Sequence, residues 1–330
     1  MSAGDPVRAA RRSAALFELP ERGLIDVRGS DRVRFLQGQL TADVAALHAA
    51  GPRSGCYALA LSPQGRIVVD LHVIARPDSI WLETDAESVP AAMARLAKYV
   101  IADDVELVDT GREPSRFGIE GPRAGDLLEA AAGVCPALAP ESAAPLRIAG
   151  ADVLAAAYGW SGERAFQLFV PRAQASAVGA ALRAAAAACG AVEAGPEVLE
   201  VLRVEAGVPR AGRELGPDVL PAEAGVLARA VSFTKGCYTG QEVVARMESR
   251  GRVAHRLVGL AFEELPELGA ALSAGGTRVG AVTSVAQSPT AGSIGLGYVR
   301  AGHEEPGTRL EVGGAGARVA ALPFVSVRRE

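Results

Sequence analysis

The chain predicts an α+β protein made of two α+β modules followed by a small β-barrel. Three observations carry that reading. Residues 56–85 alternate apolar with polar or small side chains between turn signals, the period-two pattern of antiparallel strands. Residues 115–190 run as strand, helix, two strands and helix. Residues 254–330 hold short alternating runs separated by Gly and Pro, as in a small barrel or sandwich. At 330 residues the chain exceeds the usual size of one hydrophobic core. The expected units are 1–110, completed by 196–250, then 111–195, then 254–330.

The chain opens on "MSAGDPVRAARRSAALFELPERG", read as a polar leader. Its apolar segment is broken by Glu18 and Pro20, too brief for a secretory signal. "LIDV" at 24–27 predicts a strand, turned by Gly29-Ser30. "DRVRFLQGQLTADVAAL" predicts a helix, with Val33, Leu36, Leu40 and Val44 at helical spacing and Asp31 as its cap. A three-stranded meander follows, with turns at Ser62-Pro63-Gln64-Gly65 and Pro77-Asp78-Ser79. A helix over 86–99 presents Val89, Met93, Leu96 and Val100 on one face, and a strand near 104–109 closes the unit.

The second module begins at Arg116. "RAQASAVGAALRAAAAACG" predicts its long helix, ended by Gly190 in the position that favours a left-handed cap. "EVLEVLRVEAGVP" predicts an amphipathic helix stopped by Gly207 and Pro209. "GLGYVRAG" at 295–302 has Arg300 where a dinucleotide loop needs its third glycine, so it reads as a barrel strand.

Composition narrows function. Hydrophobic residues make up 49% and charged residues 22%, an ordinary globular profile. A net charge of −4 argues against coating nucleic acid through bulk charge, and no apolar stretch reaches the ~20 residues of a membrane span. Cys56, Cys135, Cys189 and Cys237 are dispersed, as are the four histidines. Neither zinc-ligand spacing nor a disulfide framework is indicated, and a reduced, cytoplasmic protein is the expectation. There is no Walker phosphate loop, and "YGWSGE" misses the nucleophile-elbow pattern by one residue.

One stretch stands out. "SFTKGCYTGQEVVARM" holds Lys235, one of two lysines among 34 basic residues; every other is Arg. Within eight residues it gathers a thiol (Cys237), a cation (Lys235), a phenol (Tyr238) and the amide and carboxylate of Gln241 and Glu242. A neighbouring cation favours a thiolate, which would make Cys237 a reactive thiol. Equally, Cys237 reads as a small buried hydrophobe and Lys235 as a surface charge. Arg246, Arg250, Arg252 and Arg256, with His255, follow as a basic run suited to an anionic tail or as a solvated linker.

"KGCYTGQE" resembles the K-G-C-[YF]-x-G-Q-E signature of the YgfZ family of folate-binding proteins, relatives of the glycine cleavage T protein (aminomethyltransferase). "DRVRFLQGQLTADV", "YALALSPQGRIVVDL", "EVLEVLRVEAGVP", "LPAEAG" and "GAVTSVAQSP" extend the likeness along most of the chain. The resemblance implies an aminomethyltransferase-like fold, three domains around a central cavity that binds tetrahydrofolate. It implies a role in iron–sulphur cluster assembly or repair, indirectly supporting tRNA modification, with iron–sulphur enzymes or assembly proteins as partners. The alternatives are a folate-dependent aminomethyltransferase or demethylase, and a binding module without chemistry.

The resemblance also places residues. Glu205 falls where T proteins set a carboxylate against the pterin ring, with Arg203 as support and Glu223 as a further candidate. Glu163 falls in a turn that departs from the family pattern at Ala165 and Gln167, so a structural hairpin is expected there. Asp70 retains one carboxylate of a T-protein aspartate pair, Val69 replacing the first. Tyr238, Gln241, Glu242 and Arg246 complete the expected folate-binding set, with Cys237, Lys235 and Asp70 as the chemical groups. A strand-end role for Asp70 stays open.

Overall fold

The computed structural model describes residues 4–251 and 253–327. Two antiparallel-rich sheets pack face to face, with helices on their outer sides, and a six-stranded closed barrel completes the molecule.

The first sheet takes the strands in the order Gly55–Leu61, Ile67–Ala75, Ile80–Asp85, Arg22–Arg28 and Glu106–Asp109. Alternation decides what each face does. Ala58, Ala60, Val69, Leu71, Val73 and Leu82 turn towards the helices Arg32–Gln39 and Val89–Ala97 and form one core. Leu24, Ile74 and Trp81 turn the other way and meet Leu154 and Phe169 of the second sheet and Tyr158 from the loop between those strands. That second sheet backs onto the helices Ala124–Ala132 and Ala175–Cys189 through Leu127, Leu128, Val178 and Leu182.

Local structure follows the expected outline, with informative departures. The helix expected from Asp31 is two helices, Arg32–Gln39 and Val44–Ala49, because Thr41 leaves the helix. Its hydroxyl donates to the Ala230 carbonyl at 2.6 Å, and its amide donates to Leu59. Asp43, not Asp31, is a side-chain cap: it accepts from the Ala46 amide, whereas Asp31 accepts from the Asp104 amide. Gly190 and Gly207 end their helices at φ +66° and +70°, as left-handed caps.

The leader requires correction. Gly4–Arg12 is a helix whose Val7 and Ala10 pack on Phe17, Val198 and Leu202. The next strand, Ala15–Glu18, joins the second sheet beside Ser115–Glu120, so the start of the chain does not build the first sheet.

In the barrel, His255–Phe262, Gly292–Arg300, Thr277–Ser288, Ala271–Ala274, Arg309–Val312 and Ala315–Ala320 close on themselves around Leu260, Val282, Leu310 and Val319. Closure removes the unpaired edges an open sheet would expose. Gly295 and Gly297 are strand residues here; a Cβ on Gly295 would lie 2.3 Å from the Ser284 carbonyl oxygen.

Candidate active site

Inside otherwise apolar strands, Asp70, His72, Glu83 and Asp85 occupy alternate positions. They therefore point from the first sheet towards the second rather than into the helix-backed core. The structure brings them together with Tyr57, Glu141, Tyr158 and Arg229 at the seam between the modules. The Tyr57 hydroxyl donates to Asp70 Oδ2 at 2.9 Å, and Asp70 Oδ1 has no hydrogen-bond partner among the described residues. His72 stacks on Tyr158 with centroids 3.7 Å apart, and its Nδ1 lies 2.6 Å from Glu141. Arg229 covers the Tyr57 ring at 4.1 Å and donates to Glu141 at 2.8 Å.

The electrostatics separate the carboxyls by role. Burial, reinforced by Asp85, raises the Asp70 carboxyl's affinity for a proton, against the pull of Arg22 and His72. Burial would do the same to Glu83, but Arg22 and Arg116 overcome it and bring that group to about 2. Glu141 also falls to about 2, because His72 and Arg229 outweigh its burial. One carboxyl is thus poised to carry a proton while two stay ionised. Beside them a cleft of about 330 Å³ is lined by Glu141, Tyr158, Glu163, Phe166, Val208 and Arg229.

The signature stretch serves this site from behind. Tyr238 packs with Tyr57, Leu59 and Leu61, on the strand face opposite the helix-backed core. Gly240 sits at φ +86°, and a Cβ there would meet the Ser62 carbonyl oxygen at 2.8 Å. The stretch thereby clasps the turn of the strand pair that carries Tyr57 and Asp70.

Several expected roles are corrected by this geometry. Lys235 does not serve as the cation beside Cys237. Its Nζ donates to the carbonyls of Gln37, Leu40 and Ala42 at 2.6, 2.7 and 2.8 Å, tying down the chain where it leaves the helix Arg32–Gln39. A tetrahedral ammonium directs three donors at three oxygens, which the planar fork of Arg cannot. Burial lowers the Lys235 ammonium to about 8, opposed by the nearby Asp43 and Cys56. The thiol that feels its charge is Cys56, which burial pushes up to about 12. Cys237 itself is exposed and has no hydrogen-bond partner among the described residues.

Glu205 is fully buried, with both oxygens engaged: Arg11 Nε donates to one at 2.9 Å and the Ser288 hydroxyl to the other at 2.6 Å. It braces the N-terminal helix and the barrel, and none of its surface is exposed. Arg203 is likewise internal, donating to Glu200, Glu214, Ser284 and the Val208 carbonyl. Glu223 accepts from the Leu220 amide at 3.0 Å and faces His255.

Gln241 accepts from the Tyr238 amide, closing the signature turn. Glu242 and Arg246 pair with each other along one exposed helix face. Of the basic run, Arg246 pairs with Glu242 and Arg256 lies 3.7 Å from Glu304; Arg252 and the Arg250 side chain fall outside what is described. Glu163 sits in a hairpin turn braced by the buried Glu120, which accepts from the amides of Trp160 and Ser161.

His72, Glu83, Glu141 and Arg229 were not anticipated. The available signal was the row of charged residues at period two, 70, 72, 83 and 85, within strands otherwise apolar.

Comparison with known proteins then places the chain. Residues 2–235 match the GCVT N-terminal domain, and residues 255–326 the glycine cleavage T-protein C-terminal barrel domain. An aminomethyltransferase of Moorella thermoacetica is 32% identical over 95% of this chain and 87% of its own length. One of Saccharopolyspora erythraea is 32% identical over 96% and 88%. The crystal structure of aminomethyltransferase T from Bartonella henselae superposes with a TM-score of 0.86 at 24% identity, covering 98% of this chain and 89% of that one, and establishes the fold.

These relatives overturn the expected iron–sulphur assembly role and its link to tRNA modification: they are named aminomethyltransferases, and none of the comparisons points to iron–sulphur partners. Among the described residues no group of His, Cys, Asp and Glu could hold a metal ion. No described helix is long and apolar enough to cross a membrane. Val69 does not weigh against the enzyme reading either. It faces the helix-backed core, so its position adds no side chain to the face that carries Asp70. The chain belongs to the glycine cleavage T-protein family.

Proposed function

We propose that this protein is a tetrahydrofolate-dependent aminomethyl-transferring enzyme in which Asp70 is the proton-transfer group. The observation that carries the reading is Asp70 itself. It is a carboxyl with raised proton affinity, held by Tyr57 through one oxygen and free at the other, on the face between the modules. A general acid or base is most effective when its affinity for the proton lies near the working pH, and burial moves an aspartate in that direction.

The cleft residues suit a folate. Tyr158 and Phe166 offer apolar faces to a flat ring, and Arg229 offers a partner for a carboxylate. Tetrahydrofolate supplies the amine nitrogens that accept a one-carbon unit. Tyr57 fixes the Asp70 carboxyl, Arg229 stacks on Tyr57 and holds Glu141 ionised, and Glu141 in turn orients the His72 ring. Asp70 Oδ1 is the atom at which the proton is held or released. The likeness of "KGCYTGQE" to the YgfZ branch contributes the folate site to this reading and nothing about partners.

Trp160 lies edge-on to His72, with centroids 6.3 Å apart, so its emission reports on the seam. Tetrahydrofolate should quench it saturably in wild type and in Asp70→Asn alike. Transfer from an aminomethyl donor to tetrahydrofolate should fall about 100-fold or more in Asp70→Asn. Absence of saturable binding, or undiminished turnover in Asp70→Asn, would overturn the proposal.

A further inference from the structure

A second cleft, of about 370 Å³, opens where the strand Ser115–Glu120 passes the start of the helix Ala175–Cys189. Five arginines line it, Arg22, Arg112, Arg116, Arg172 and Arg183, against the single carboxylate of Glu18. In a chain with net charge −4 this is a concentrated positive site. The tetrahydrofolate reading uses none of its surface.

The arginines are not equivalent. Arg183 is answered by Glu18 and Glu193, and Arg22 by Glu83 and Asp85. Among the described residues the guanidinium groups of Arg112 and Arg172, both exposed at the rim, have no carboxylate or hydrogen-bond partner. Arg116 is 6% exposed, yet only its Nη2 is bonded, to Glu83 and Tyr158. Its Nε and Nη1 are buried and have no acceptor. The Arg116 guanidinium lies over the Phe169 ring at 3.5 Å, so it adds positive charge beneath the cleft while Arg112 and Arg172 supply the open donors. The adjoining helix is 15 residues long and has no side-chain cap, so the positive end of its dipole adds to the field.

We propose that this cleft binds a phosphate group, free or carried on a small molecule. The chemistry favours a compact, multiply charged oxyanion: the charge of five guanidiniums surrounds the cleft, those at the rim carry open donors, and planar guanidiniums bind phosphate oxygens in pairs. A single carboxylate would leave most of those donors unmet.

The test is calorimetric titration of the full chain with inorganic phosphate, pyrophosphate and adenosine diphosphate. Saturable binding is expected for at least one of them. Arg112 and Arg172 are exposed and unpaired, so replacing them with Ala should leave the fold intact. Each replacement should weaken binding about 10-fold, the loss of one charge-assisted hydrogen bond. As a control, Arg12→Ala with Arg123→Ala, in a separate basic cleft, should leave affinity within about 2-fold. Equal affinity for pyrophosphate and adenosine diphosphate identifies the phosphate groups alone as the ligand; tighter binding of the nucleotide identifies a carried phosphate. Three results overturn the proposal: no saturable binding at millimolar ligand, affinity unchanged in the Arg112→Ala, Arg172→Ala double variant, or equal weakening by the control. Tetrahydrofolate binding, measured alongside, should be unchanged in the double variant, so failure here leaves the folate reading standing.

Discussion

Replacing Glu83 with Gln tests the electrostatic joint between the two modules. Glu83 has no exposed surface and lies on the first sheet. It accepts from Arg22 Nε and Nη2 at 2.6 and 2.8 Å, and from Arg116 Nη2 of the second sheet at 3.0 Å. One carboxylate therefore bridges two guanidiniums across the seam, with Asp85 as a second anion on Arg22. Glutamine keeps the shape and removes the charge, leaving Arg116 with no anionic partner.

Two estimates of the cost agree. Breaking a buried ion pair from one side typically costs ~3–5 kcal/mol. The carboxyl is held at about 2 against an ordinary value of 4.5, and at about 1.4 kcal/mol per unit that corresponds to roughly 3 kcal/mol. Because the folded value lies below the unfolded one, the stabilisation is fully present above about pH 4.5 and is lost as pH falls towards 2. Urea unfolding followed by Trp emission should show Glu83→Gln ~3–5 kcal/mol less stable at pH 7.5. The gap should narrow by ~1 kcal/mol at pH 3.5. A neutral-pH gap below ~1 kcal/mol, or one that does not narrow in acid, would refute the reasoning.

Lys235→Arg should cost ~2 kcal/mol in the same assay, since a planar fork cannot serve the carbonyls of Gln37, Leu40 and Ala42 together; a neutral result would show that charge alone matters there. Gly240→Ala should lose ~1–3 kcal/mol through its positive φ and the approach to the Ser62 carbonyl, read as a lower urea midpoint. Glu205→Ala should destabilise by ~3 kcal/mol, removing one of the two carboxylates that answer Arg11 and the acceptor of the Ser288 hydroxyl, while tetrahydrofolate affinity stays within about 3-fold; a large loss of affinity in a stable variant would restore Glu205 to the ligand site.

Much of the secondary structure was legible because period and punctuation are local. The meander at 56–85, the caps at Gly190 and Gly207 and the barrel strands follow from side-chain alternation and from where only glycine turns easily. Thr41 was not legible: the partner that draws it out of the helix, Ala230, lies far along the chain.

Asp70 could be nominated from the sequence, but its setting could not. His72, Glu141 and Arg229 come from three distant segments and meet only when the two sheets stack. The same holds for charge. Sequence marked Lys235 as exceptional in a chain that otherwise writes Arg, and suggested a thiol as its reason. The fold supplied a different one, three carbonyl oxygens gathered where one helix gives way to the next. Composition and spacing thus determined which residues were unusual and which elements they sat on. Tertiary structure decided their partners, because desolvation and neighbouring charge depend on what is packed beside a group, not on what precedes it in the chain.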